Sequence, residues 1–169
     1  GEIYNFHNLK KELVDCKFIS GSDSEVILHG YRRWGIEKLL NKIEGMFAFV
    51  IWDKNLNKIY LARDRVGIKP LYYGEILGEV VWGSELKSIE EYFKDSNSLD
   101  LDHTALYDFL TYLYIPTPKT SYKNIYKLEP GHFIEIDTGN LKFKKKRYWN
   151  LRVASEIMSR DHAEEKVFD

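Results

Sequence analysis

The feature that most constrains the fold is a nearly unbroken run of apolar residues at positions 46–52. The run is too short for a typical helix and is rich in aromatic and branched side chains, which favours a buried strand. Turn-forming residues follow at 53–57, and a second strand-like segment occupies 58–62. Two such segments joined by a short polar turn predict an antiparallel hairpin.

Other strand-like and helical segments surround this hairpin. Further strands are predicted at 71–73, 80–82, 125–128, 132–136 and 141–148. Helices are predicted at 6–15, from about 23 with a break at Gly35 and a short helical stretch beyond it, at 84–93, and from a cap at Asp102 to a stop at Pro116. The chain is therefore expected to combine helices with a sheet built from antiparallel hairpins.

Charge and cysteine content exclude several classes of function. The chain has 25 Lys and Arg residues against 26 Asp and Glu, so no overall field favours nucleic acid or an anionic membrane. The basic run at 144–147 is better explained as the solvated end of an edge strand. No apolar segment reaches the roughly 20 residues that cross a bilayer. Because a single cysteine is consistent with a reducing compartment, we expect a cytoplasmic protein.

Four groups of residues are candidates for chemistry: residues 1–5, residues 20–25, residues 62–65 and the five histidines. The histidines show no metal-ligand spacing and lie in different predicted elements, so no metal site is predicted. Cys16 lies at a helix terminus with no motif that would activate its thiol, and it is interpreted as a small packing residue.

The remaining candidates also have purely structural interpretations. Ser22 and Glu25 have the spacing of a capping box at the start of a helix. Asp23 could itself cap that helix, which is the commoner role of an aspartate at such a position. Arg63 and Asp64, at the end of a predicted strand, could form an ion pair.

Five motifs in a fixed order favour a functional interpretation of these residues over a purely structural one. They are GEIYNF at 1–6, SGSDSEVI at 20–27, EGMFAF at 44–49, ARDRVGIKPLYY at 62–73 and SELK at 84–87. In this order they resemble the amidotransferase domain of the glutamine-hydrolysing asparagine synthetases. The resemblance continues through LEPGH at 128–132 and RYW at 147–149, so it covers nearly the whole chain.

The resemblance implies an α+β fold of the amino-terminal-nucleophile hydrolase type, an α/β/β/α sandwich of two antiparallel sheets between layers of helices. It also implies that a cysteine at the mature amino terminus attacks the side-chain amide of glutamine, with its own amine as the proton carrier. The products are glutamate and ammonia. Since the matching motif begins at Gly1, we expect the chain to lack the segment with that cysteine and to be inactive alone.

Three residues of this chain match positions of the family's glutamine site. A tetrahedral intermediate needs fixed donors for its oxyanion, and the backbone N–H of Gly1 matches one of them. A free amino acid displays an ammonium group and a carboxylate, each of which needs a charged partner. By resemblance, Asp23 binds the ammonium group of glutamine, and Glu2 helps to line the same pocket.

The resemblance also implies a larger enzyme around this domain. ATP and magnesium would act in a carboxy-terminal synthetase domain that converts aspartate to asparagine, so no cofactor is expected in residues 1–169. We expect residues 1–150 to form a partial amidotransferase domain and residues 151–169 a connector towards that synthetase domain.

Two other functions stay open at this point. One is a binding or regulatory module that does not catalyse, and the other is a related amidotransferase with a different acceptor. Absence of the first strands would leave core surface and sheet edges uncovered. We therefore also expect self-association, for example as a homodimer.

Overall fold

A computed structural model describes residues 1–151 of the chain. In it the strands pair into three antiparallel sheets, and helices lie beside them. The helices are α1 (Phe6–Glu12), α2 (Glu25–Lys42), α3 (Leu86–Phe93) and α4 (His103–Tyr112). The strands are β1 (Glu2–Ile3), β2 (Gly45–Met46), β3 (Ala48–Asp53), β4 (Lys58–Arg63), β5 (Tyr72–Ile76), β6 (Glu79–Gly83), β7 (Ile125–Lys127), β8 (His132–Asp137) and β9 (Phe143–Arg147). Apart from Leu151, the predicted connector at 151–169 lies outside the described residues.

The largest sheet has four strands in the order β3-β4-β8-β9. The predicted hairpin at 46–62 is confirmed as β3 and β4, with Ile51 opposite Tyr60 and Phe49 opposite Ala62. A second sheet has the order β6-β5-β7, and β1 pairs with β2 in a short third sheet. The basic run at 144–147 lies on β9, an edge of the four-stranded sheet, as the sequence predicted.

Alternation along the strands sorts side chains onto the two faces of the four-stranded sheet. Tyr60 and Ala62 of β4 pack with α1 and α2 in one buried cluster that includes Leu39. Leu61, between them, packs on the opposite face with Leu128 and with residues of the three-stranded sheet. Each such aliphatic side chain stabilises the fold by about 1.5–3 kcal/mol on burial.

Helix α3 packs on the three-stranded sheet, where its Ile89 and Phe93 cluster with Ile76 and Ile125. It forms a fourth layer of the fold. The order of layers is therefore α1 and α2, then the four-stranded sheet, then the three-stranded sheet, then α3. None of the helices within residues 1–151 is long and apolar enough to cross a membrane.

The breaks predicted for α2 and α4 have different outcomes. The break predicted at Gly35 is confirmed, because Gly35 has a φ of 75° and a ψ of 171° and kinks α2 between two helical segments. Asp102 caps α4 as predicted, because its Oδ1 accepts hydrogen bonds from the amides of Thr104 and Ala105 at 2.9 and 3.3 Å. The predicted stop at Pro116 is wrong, since Leu113 adopts a φ of 61° and ends the helix earlier.

Candidate functional site

A cleft of about 360 Å³ lies between β1, the residues that precede α2, and β3. This volume is within the range of about 300–1,000 Å³ that is common for small-molecule sites. Gly1, Glu2 and Asp23 all line the cleft, and Phe47 and Ile27 contribute apolar surface. The structure thus brings together the three residues that the sequence assigned to one pocket, although Asp23 lies some twenty positions further along the chain.

Asp23 connects the two sides of the cleft. Its Oδ2 accepts a hydrogen bond from the backbone amide of Ile3 at 2.6 Å, which fixes β1 against the start of α2. Among the described residues, its Oδ1 receives only a long bond of 3.4 Å from the hydroxyl of Ser24. Ser24, not Asp23, is the N-cap residue of α2, and its side chain makes no capping bond. The alternative in which Asp23 caps the helix is therefore wrong.

Strand β1 is held at the cleft by close backbone packing and by one amide side chain. Asn5 donates to the carbonyl of Lys42 at 2.8 Å and accepts from the amide of Glu44 at 3.0 Å, which ties the end of β1 to the end of α2. At the other end, a Cβ on Gly1 would lie 2.7 Å from the carbonyl oxygen of Met46. Only glycine fits there without a shift of the backbone.

The loop at 19–25 is organised by Glu25. Its carboxylate accepts hydrogen bonds from the amide of Ile19 at 2.8 Å and from the amide and hydroxyl of Ser20 at 2.9 and 2.7 Å. These bonds, that from Ile19 first, lower the pKa of Glu25 to about 2. The predicted capping box between Ser22 and Glu25 is therefore wrong, because the glutamate binds residues further upstream.

Arg63 and Asp64 do not form the ion pair that their adjacency suggested. The guanidinium of Arg63 donates to three backbone carbonyls, those of Lys69 at 2.7 Å, Leu128 at 2.6 Å and Gly67 at 2.8 Å. Asp64 is completely buried, and within residues 1–151 its carboxylate accepts only from backbone amides. Sequence reasoning missed these roles, because bonds to the main chain leave no pattern of complementary side chains.

The other candidates from the sequence lie away from the cleft. Cys16 is half-buried just beyond α1 and is not among the residues that line the cleft. Within residues 1–151, no group of three or more His, Cys, Asp or Glu side chains is arranged to hold a metal ion. A larger cleft of about 520 Å³ lies beside Tyr73, Tyr126 and Phe143, and it contains none of the residues that the sequence assigned to glutamine.

Comparison with known sequences relates this geometry to a family. The sequence model of the glutamine amidotransferase domain matches residues 1–149. Asparagine synthetase (glutamine-hydrolyzing) 1 of Bacillus subtilis is 40% identical over 147 residues, which are 85% of this chain and 23% of that protein. Asparagine synthetase (glutamine-hydrolyzing) 2 of the same organism is 37% identical over 155 residues, 90% of this chain and 21% of that protein. The chain thus spans less than a quarter of the length of these relatives.

Solved structures agree with the layered arrangement of the sheets. The glutamine phosphoribosylpyrophosphate amidotransferase of B. subtilis, complexed with ADP and GMP, matches with a TM-score of 0.60 and 22% identity over 88% of this chain and 28% of that chain. At this identity the likeness concerns the fold alone. It confirms the predicted α+β sandwich of the amino-terminal-nucleophile hydrolase type. By its match over residues 1–149, the chain belongs to the glutamine amidotransferase domain family.

Proposed function

We propose that this chain is the glutamine-hydrolysing part of an asparagine synthetase, which supplies ammonia for the conversion of aspartate to asparagine. The observation that carries the proposal is the convergence of Gly1, Glu2 and Asp23 on one cleft. Relatives named asparagine synthetase, at 37% and 40% identity, support aspartate as the acceptor. ATP and magnesium would act in a linked synthetase domain, and none of the described residues is assigned to them.

In this proposal Asp23 binds the ammonium group of glutamine. One carboxylate oxygen accepts from Ile3, whereas Oδ1 has only the long contact with Ser24 among residues 1–151 and could accept from a ligand. A charge-assisted bond of this kind is roughly twice as strong as a neutral one. Glu2, which is exposed in β1, adds a second carboxylate to the lining of the cleft.

The backbone of Gly1 has the second role. As the side-chain amide of glutamine is attacked, negative charge develops on its oxygen, and a fixed N–H donor lowers the barrier by stabilising that charge. The close approach of Gly1 to the Met46 carbonyl fixes this part of the backbone against β2. The same contact explains why the position requires glycine.

The attacking group would be the side chain of a cysteine at a mature amino terminus. None of the side chains that line the cleft within residues 1–151 is a cysteine. We therefore propose that the 169-residue polypeptide does not hydrolyse glutamine by itself. Incubated with glutamine, the purified polypeptide should release no glutamate above background. Sustained turnover would contradict the role given to Gly1.

The glutamine site is tested by Asp23→Asn in the natural full-length polypeptide that contains this chain. Loss of one charge-assisted hydrogen bond is expected to raise the KM for glutamine by roughly 10- to 100-fold. Asp15→Asn is the matched control, because Asp15 is exposed and makes only a 3.9 Å contact with Arg33. An unchanged KM in Asp23→Asn, or an equal increase of KM in both variants, would refute the assignment.

A second candidate function is amidotransfer to another acceptor. The protein named amidase chry2 of Gibberella zeae is 31% identical over 176 residues, which cover 99% of this chain and 24% of that protein. Full-length polypeptide supplied with glutamine, aspartate, ATP and magnesium separates the possibilities. Asparagine as a product supports the first proposal, glutamate without asparagine supports another acceptor, and neither product supports a non-catalytic module.

A further inference from the structure

Asp64 carries a buried carboxylate that forms no ion pair with a basic side chain of residues 1–151. It follows the last residue of β4, and none of its surface is exposed. Its Oδ1 accepts from the amides of Val66 at 3.2 Å and Ile68 at 2.9 Å, and its Oδ2 from those of Lys69 at 2.9 Å and Phe47 at 3.3 Å. A buried carboxylate is costly unless its lone pairs are satisfied, so all four bonds matter.

Three of these bonds close the local loop 64–69, but the fourth crosses to a different segment. Phe47 lies between β2 and β3, and Asp64 also donates its own amide to the carbonyl of Phe47 at 2.9 Å. Both backbone polar groups of Phe47 are therefore bound by a single residue. The side chain of Phe47 is itself buried in the core between the helices and the four-stranded sheet.

Phe47 in turn forms part of the cleft wall. It lines the cleft directly, and a Cβ built on Gly1 would lie 3.4 Å from its Cα. The backbone of Gly1 is thus packed against the segment that Asp64 fixes. A displacement of Phe47 would move the surface on which the proposed oxyanion donor rests.

We propose that Asp64 is a positioning residue for glutamine hydrolysis, acting through the backbone of Phe47 on the wall of the cleft beside Gly1. The inference rests on the proposed function and adds a residue that touches neither the cleft nor the substrate. Misplacement of a reacting group by about 1 Å lowers rates by roughly 100-fold. A residue that fixes the wall therefore affects rate as well as stability.

The test is Asp64→Asn in the natural full-length polypeptide. The amide oxygen of asparagine replaces Oδ1 in the loop, whereas its NH₂ group faces the amide donors of Phe47 and Lys69 and cannot accept from them. Glutamine-dependent product formation, measured well below the melting temperature, is expected to fall roughly 10- to 100-fold. Product formation from added ammonia, which does not need the cleft, is expected to stay close to that of the wild type.

Asp102→Asn is the matched control, since Asp102 also accepts from two backbone amides but caps α4 away from the cleft. It should preserve both activities. Equal losses with glutamine and with ammonia in Asp64→Asn would indicate a general structural defect and overturn the inference. If the wild type shows no glutamine-dependent activity, the proposed function fails and the variant result does not count against Asp64.

Amide hydrogen exchange of the wild-type polypeptide tests the same inference without a variant. If Asp64 fixes the backbone of Phe47, the amide of Phe47 should exchange as slowly as those of the paired core residues Leu61 and Ile134 in β4 and β8. Exchange of Phe47 at the rate of exposed loop amides would overturn the inference, whatever the activity measurements show.

Discussion

The loops 63–69 and 19–25 are each organised by one carboxylate that accepts hydrogen bonds from several backbone amides, but the two carboxylates differ in burial. In residues 63–69 the carboxylate is that of Asp64, which is completely buried. In residues 19–25 it is that of Glu25, which is only partly buried. Water can replace lost bonds at Glu25 and not at Asp64. The same hydrogen-bond pattern should therefore stabilise the first loop far more than the second.

The largest effect is expected from Asp64→Ala, which leaves the buried amide of Phe47 and three partly buried loop amides without their acceptor. The free energy of unfolding should fall by about 3 kcal/mol, because an unsatisfied buried donor costs about 1–3 kcal/mol and the partly buried amides add smaller losses. Urea denaturation of the purified polypeptide measures this. The cap variant Asp102→Ala should lose only about 1 kcal/mol. Equal losses in the two variants would remove burial as the explanation.

Arg63→Lys should have the next largest effect. The guanidinium donates to three carbonyls and closes the loop 63–69 from the opposite side, and a single ammonium group cannot reach all three. We expect a loss of about 1.5–3 kcal/mol, the contribution of hydrogen bonds made by a charged group. Urea denaturation again provides the measurement. Wild-type stability in this variant would mean that the loop is held by Asp64 alone.

A smaller effect, with a characteristic pH dependence, is expected from Glu25→Gln. The folded-state pKa of Glu25 is lowered from 4.5 to about 2, so the ionised carboxylate stabilises the fold fully above pH 4.5. That contribution is lost as the pH falls towards 2. The difference in unfolding free energy between wild type and variant should therefore shrink between pH 6 and pH 3. A difference that stays constant over this range would contradict the pKa shift.

The smallest effect is expected from Ser20→Ala. This change removes the hydroxyl donor to Glu25 at 2.7 Å, whereas both backbone amides still bind the carboxylate. Because the site is exposed, the change in unfolding free energy should stay within about 0.5 kcal/mol. A thermal melt compared with that of the wild type is sufficient. A loss as large as that of Arg63→Lys would show that the loop 19–25 is as critical as the loop 63–69.

Much of the fold was accessible from the sequence because it depends on periodicity and on residues with strong local preferences. The hairpin of β3 and β4, the break at Gly35 and the cap at Asp102 were all predicted. Helix α4 shows the limit of that reasoning. Leu110 and Leu113 have the spacing of an apolar helix face, but they are 76% and 80% exposed. Such spacing shows that a face could pack and does not specify what it packs against.

For the candidate site, the sequence predicted the residues but not the contacts that hold them in place. Motif order identified Gly1, Glu2 and Asp23, and the structure places all three at one cleft. The contacts that hold them there were not predictable, because they join side chains to the main chain of distant segments. The hydrogen bond that the Phe47 amide donates to the Asp64 carboxylate is an example. Any residue other than proline could supply that amide, so the sequence does not identify the donor. Such bonds depend on the path of the chain in three dimensions.

The pairing of Asp64 with both backbone groups of Phe47 also bears on the construction of chimaeras between relatives. A transplanted loop 63–69 would need a recipient strand that offers an amide and a carbonyl at the matching point, whatever side chain the strand carries there. A successful loop exchange would therefore have to preserve the pairing register between β3 and β4. A slip of one residue would turn every side chain of the strand to the opposite face, and the hybrid would keep the motif but lose the architecture that makes it useful.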